Sequence, residues 1–180
     1  MSMIRPSRGS GGRRGGQAVH VRQNLPESTD PYQPRLDPGE VAACTDCHAL
    51  YQRRHWVLDE DAYLRETMQP ETRLVLCPAC QKIRDRYAEG RVTLQPSPFL
   101  HAHKDEILRS IHNEEARAKG NNPLGRIVEI SEPEGAGVAT TTNEKLAQRI
   151  GRMLKSMYQG DASYQWSEAR FLSVEWQRSN

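Results

Sequence analysis

The four cysteines constrain this chain more than any other feature, because they come as two pairs with one internal spacing: Cys44-Thr-Asp-Cys47 and Cys77-Pro-Ala-Cys80. Two residues between cysteines let both thiolates aim at one ion from a tight turn whose backbone N–H groups can bond to the sulfurs. Two such turns supply the tetrahedral four-sulfur shell that zinc prefers, with Zn–S near ~2.3 Å. No cysteine is left over. The interval 48–76 exceeds the common ~15–20 residues, so a short strand pair or helix fits between the knuckles. Cys44, Cys47, Cys77 and Cys80 are thus the expected ligands of one Zn2+ ion. Its role is structural, since four thiolates leave no open position for activating water.

Three other uses of the cysteines fit less well. Disulfides belong to exported chains, and the N-terminus MSMIRPSRGSGGRRGG has positive charge without an apolar signal region. A thioredoxin-like redox motif would leave the second pair unexplained. Cys44-Thr-Asp-Cys47-His48 also spells the c-type haem attachment pattern. That use requires export and ignores Cys77 and Cys80. His48 and His55 read as surface residues or neighbours of the site. No stretch approaches the ~18 apolar residues of a membrane helix, and the chain reads as cytoplasmic.

Only 36% of the 180 residues are hydrophobic, with two Phe, which is little for one large core. The expectation is small folded units joined by solvated segments, one of them stapled by metal. Residues 1–38 read as a disordered Arg/Gly/Pro-rich tail. It carries Arg5, Arg8, Arg13, Arg14 and Arg22 before the first acid, Glu27, so the basic excess belongs to the tail. Arginine among glycines suits contact with RNA phosphate and bases. It equally suits an ordinary solvating tail.

Residues 41–95 read as the zinc-ribbon module. A short helix around Ala62–Met68 opens at Asp59-Glu60-Asp61, Arg73–Leu76 forms a strand feeding the second knuckle, and one or two helical turns span Gln81–Tyr87. Residues 98–120 read as a connecting helix with Leu100, Ile107, Leu108 and Ile111 on one stripe. Residues 124–178 read as a β-β-α-β domain with an antiparallel sheet. A hairpin of Arg126–Ile130 and Val138–Thr141 precedes a helix over Asn143–Tyr158 and a last strand near Phe171–Trp176. Leu146, Ile150, Met153, Leu154 and Met157 give that helix its apolar stripe, and Thr141 with Glu144 offers a capping box. The fold class is therefore α+β. Lys145, Arg149 and Arg152 recur along the helix away from the stripe. Such a ridge suits an RNA backbone, which needs charge but no base chemistry, and it equally suits a solvated face.

The pair of cysteine knuckles, with CPACQKIRDRYAEG at the second, and RIVEISEPEGAGVATTTNEKLAQRIGRMLKSMYQG resemble the N-terminal part of the large-ribosomal-subunit export adaptor family. That family joins zinc knuckles to a β-β-α-β unit, with a threonine leading into an amphipathic helix. Thr142, Ala147 and Ile150 are the similar positions here, and short bacterial proteins of the same layout are more similar still. The family carries additional cysteine pairs and long downstream β domains that this sequence lacks. The resemblance therefore implies ribosome or rRNA association, with the four cysteines carried over as ligands, rather than the export role.

Two non-enzymatic readings follow. One is a zinc-binding protein associating with RNA or a ribosomal subunit, in maturation or a stress-related state, through Arg8, Arg13, Arg14, Lys145, Arg149 and Arg152. The alternative is a protein–protein adaptor or regulator in which the zinc module recognises a protein partner. No cysteine is spare as a nucleophile, no Gly-rich phosphate loop appears, and no small-molecule substrate is evident.

Overall fold

A computed structural model describes residues 30–37, 39–167 and 170–179. The stretch 1–29, with Arg8, Arg13 and Arg14, lies outside the described residues. Among the described residues the architecture is mixed, with four α-helices and two sheets, so the α+β expectation holds.

The first sheet has spatial order β3-β2-β1-β4, formed by β1 (Ala42–Cys44), β2 (Ala49–Gln52), β3 (His55–Leu58) and β4 (Arg73–Val75). The first three strands meander antiparallel, whereas β4 returns parallel to β1 with Ala42 opposite Arg73. A parallel return requires a crossover, and α1 (Glu60–Thr67) supplies it. Asp59 caps α1 by accepting from the Ala62 amide at 2.9 Å, and Glu60 and Asp61 favour the positive end of the helix dipole. The long interval between the cysteine pairs thus holds both a strand pair and a helix. The buried side chains of this sheet and α1 are mostly small, as at Ala42, Ala43, Ala49 and Ala62, with Leu50 and Trp56 the larger exceptions.

Next come α2 (Pro78–Arg84) and β5 (Gly90–Leu94). Strand β5 lies at the centre of the second sheet, order β6-β7-β5-β9-β8, with β6 (Ile127–Ser131), β7 (Gly137–Thr141), β8 (Asp161–Trp166) and β9 (Leu172–Gln177). The β5–β9 pair is parallel and the other three are antiparallel. Strand β5 falls within residues 41–95, the expected zinc-ribbon module, but pairs in the second sheet. Gly-Arg-Val-Thr-Leu has too little apolar content to announce a central strand. Val92 and Leu94 are buried because β7 and β9 flank the strand and α3 and α4 cover its face.

Helices α3 (Pro98–Asn121) and α4 (Glu144–Tyr158) cover one face of this sheet. Helix α3 is more than a connector: Leu100, Ile107, Ile111 and Ala118 share one core with Leu146, Ile150 and Leu154 of α4 and with Val174 and Trp176 of β9. Gly151 lets α4 lie close on the sheet, because a Cβ there would stand 2.6 Å from Val174 Cγ1. Asn143, rather than Thr141, caps α4, accepting from the Leu146 amide at 2.9 Å. Thr142 instead ties the end of β7 to the loop before β6, donating to the Leu124 carbonyl at 2.6 Å and accepting from the Arg126 amide at 2.8 Å. The opposite face of the sheet presents Arg91, Thr93, Thr140, Ser173 and Glu175 to solvent or partial burial.

The two sheets meet at Lys82 of α2. This lysine is only 4% exposed. Its Nζ reaches Asp30 Oδ2 at 2.9 Å, Glu89 Oε1 at 2.7 Å and the Thr142 carbonyl at 3.4 Å. Burial works against its charge, but Glu89 and Asp30 outweigh burial and hold its pKa above the ordinary lysine value. Residues 30–37, read in sequence as the end of the tail, pack on the metal-module side. Tyr32 lies 5.2 Å from the Tyr87 ring, and Arg73 Nη1 donates to the Arg35 carbonyl at 3.1 Å. No helix among the described residues is long and apolar enough to cross a membrane.

Candidate metal centre

Cys44 is the last residue of β1, and the turn 45–48 carries Cys47 back toward it. The turn closes with His48 in the left-handed region at φ 60 and with its amide donating to the Cys44 carbonyl at 3.2 Å. Because β4 runs parallel to β1, with Cys44 opposite Val75, the chain leaving β4 delivers Cys77 beside Cys44. Cys77 then caps α2, with Pro78 in the first turn, and the first turn of the helix places Cys80 on the same side.

All four Sγ atoms lie within 4.8 Å of one another, and Cys47 and Cys77 are 3.6 Å apart. A disulfide is about 2.05 Å, so these are thiols around a common point. Sulfurs bound tetrahedrally at ~2.3 Å stand about 3.8 Å apart, which the cluster matches. Two backbone amides face the sulfurs: Cys77 N–H donates to Cys44 Sγ at 3.3 Å, and Cys80 N–H to Cys77 Sγ at 3.5 Å. Cys44, Cys77 and Cys80 are buried and Cys47 is half-buried. Crowding divides the thiols. Cys44 is held below the ordinary range by hydrogen bonds with Cys47, Cys77 and Cys80, whereas Cys77 is pushed up, by Cys44 first and then Cys47 and Cys80. Four thiolates this close repel one another, and a cation among them removes the conflict. The group can hold a single metal ion. Among the described residues it is the only such convergence of three or more His, Cys, Asp or Glu side chains.

His48 is not one of the converging groups. Its Nδ1 lies 3.1 Å from Glu60 Oε1, and its ring stacks on Tyr63 with centroids 4.4 Å apart. Of the basic residues on α4, Lys145 and Arg152 are exposed. Arg149 differs: its Nε donates to Glu114 Oε1 at 2.7 Å, and Glu114 is only 7% exposed. Its role is partly to neutralise a buried carboxylate, a partnership that no spacing rule reveals across two helices. The β2–β3 turn also escapes sequence reasoning. It consists of Arg53 and Arg54 at φ 50 and 67, with neither Gly nor Asn to signal a turn. No family model and no curated protein matches the chain, so what the centre does has to follow from its own geometry.

Proposed function

We propose that the protein is a non-enzymatic zinc-binding protein that associates with RNA or a ribosomal subunit. Zinc suits the donor set, since an all-sulfur tetrahedron is its usual structural shell and the four cysteines fill every position. The ion's work is then to fix β1, β4 and α2 around one point. The observation that carries the RNA reading is the outer face of α4. Lys145, Arg152 and Lys155 are exposed there and form no ion pair among the described residues. Cations kept in solvent suit phosphate contact.

The test is sedimentation of tagged protein from gently lysed cells at low and moderate salt, with and without RNase. Co-migration with a ribosomal subunit that is lost on RNase or salt is the expected result. Charge reversal at Lys145 and Arg152 should weaken it and flatten the salt dependence. Migration in light fractions throughout would end the RNA reading.

An adaptor reading has its own support. Leu64 and Met68 are 56% and 82% exposed. They lie four residues apart on one face of α1, where an apolar partner could settle. Partner capture insensitive to salt and RNase would favour it.

A further inference from the structure

Strand β8 begins three residues after α4 ends and doubles back along it. The two meet at Tyr164, since a Cβ on Gly151 would stand 3.0 Å from its Oη. Strand alternation sets Ala162, Tyr164 and Trp166 on one face, opposite Trp176, Val174 and Leu172 of β9. Those β9 side chains are fully buried in the core under the helices. Ala162 and Tyr164 pack against that core, but Trp166 is 54% exposed. The other two tryptophans of the chain, Trp56 and Trp176, are buried. Among the described residues the Trp166 side chain has no ring, cation or hydrogen-bond partner.

Beside this ring stand cations of α4. Arg152 follows Gly151 directly, and Lys155 lies one helical turn beyond Gly151 on the same side. Both are exposed and form no ion pair among the described residues. Neither belongs to the apolar stripe that seats α4 on the sheet. An open aromatic face thus lies next to charge kept in solvent.

We propose that this shoulder of α4 and β8 binds single-stranded RNA, with Trp166 stacking on an unpaired base and Arg152 and Lys155 holding phosphates. The inference rests on the RNA reading above and assigns it a site. Phosphate contact needs charge but no particular base, and stacking on an indole needs a free base face. A duplex keeps its base faces in its own stack, so Trp166 selects an unstacked strand. Strand β8 is also an edge of its sheet, where a peptide strand can pair through backbone groups. Edge pairing leaves the α4 cations idle, whereas a polyanion with bases uses ring and charge together. The opposite face of the sheet is a poorer platform, since Arg91, Thr93, Thr140, Ser173 and Glu175 offer no aromatic ring.

The experiment is fluorescence anisotropy of the full chain with a labelled single-stranded RNA of about 12 nucleotides and with its duplex. Acrylamide quenching of the protein's own tryptophan emission accompanies it. Acrylamide reaches Trp166 but neither buried tryptophan, so bound RNA should remove most of the quenching. Trp166→Leu should bind about fivefold or more weakly. Trp166→Phe should keep most of the affinity and lose the quenching signal. Arg152→Gln/Lys155→Gln should bind about 10-fold more weakly, with a log–log salt slope shallower by about one. Melting temperature and zinc content should stay at the wild-type level in every variant. The quenching measurement on the wild type decides the matter even where a variant loses stability. Undiminished quenching of the RNA-bound wild type, or wild-type affinity in Trp166→Leu, would overturn the shoulder while leaving the RNA reading in place. Equal affinity for duplex would overturn the single-strand assignment. Absence of RNA binding by the wild type would overturn both.

Discussion

The two sheets are held by different means. Around β1–β4 the buried side chains are mostly alanine and cysteine, with Leu50 and Trp56 the large apolar exceptions. Around β5–β9, Trp176, Ile107, Ile111, Ile150, Leu154 and Leu172 form a continuous apolar core. A layer of alanines removes too little apolar surface to offset chain entropy by itself. A metal ion held by the four thiols would tie strand ends together in place of the missing core, as in other small domains. The second layer needs no such tie. The comparison teaches that the cysteines stand where the hydrophobic residues run out.

The largest expected effect tests that contrast directly. Binding to a structural four-sulfur site is worth roughly 10–16 kcal/mol, more than a layer of small side chains can replace. Cys77→Ser, or a strong chelator on the wild type, should abolish binding of one zinc per chain and speed amide exchange throughout 41–84. Amides of α4 and of β7 and β9 should stay protected. Simultaneous loss of protection in both sheets would show a single cooperative unit and break the comparison.

Ile150→Ala probes the other layer. This side chain is fully buried between α4 and the sheet, so truncation should cost about 2–5 kcal/mol. Denaturant titration should register the loss, with zinc content measured by a colorimetric chelator remaining at the wild-type level. A fall in zinc content would mean that the sheet layer also supports the metal centre.

Lys82 joins the layers, and its replacement should have a smaller effect. Lys82→Met leaves Asp30 and Glu89, both partly exposed, without their shared cation. The expected cost is about 2–3 kcal/mol, at or below the range for breaking a fully buried pair because water reaches the acids. The pH dependence has a definite sign. A raised lysine pKa contributes stability that is fully present below the ordinary value of 10.5 and is lost as pH climbs through the higher folded value. Wild type and Lys82→Met should therefore converge in stability only in strong alkali. A constant difference through that range would assign the effect to packing rather than charge.

Local signals in the sequence were sufficient for several elements. Two identical cysteine spacings marked the four thiols that converge, because the geometry within each pair is imposed by a few adjacent residues. The recurrence of Leu146, Ile150, Met153, Leu154 and Met157 marked α4, and of these Met157 alone stays exposed, since it falls near the helix end. A hairpin of Arg126–Ile130 and Val138–Thr141 was legible through β-branched content and the Pro-Glu-Gly turn, within one residue of the strands formed, Ile127–Ser131 and Gly137–Thr141. What remained hidden depended on partners distant in sequence. Burial of β5 required β9, about eighty residues later, to lie parallel beside it. Arg149 carried the same charge in any reading, but only the packing of α3 against α4 set Glu114 in front of it.

By itself, then, the sequence determined one four-thiol cluster able to hold a metal ion, an α+β class and an amphipathic α4, because spacing and periodicity are properties of neighbouring residues. The tertiary structure alone decided that β5 joins the second sheet, that Lys82 is buried between the two sheets, and that Arg53 and Arg54 make the β2–β3 turn at positive φ. Those features arise from contacts between segments far apart in the chain, and a string of residues carries no local mark of which distant partner will arrive.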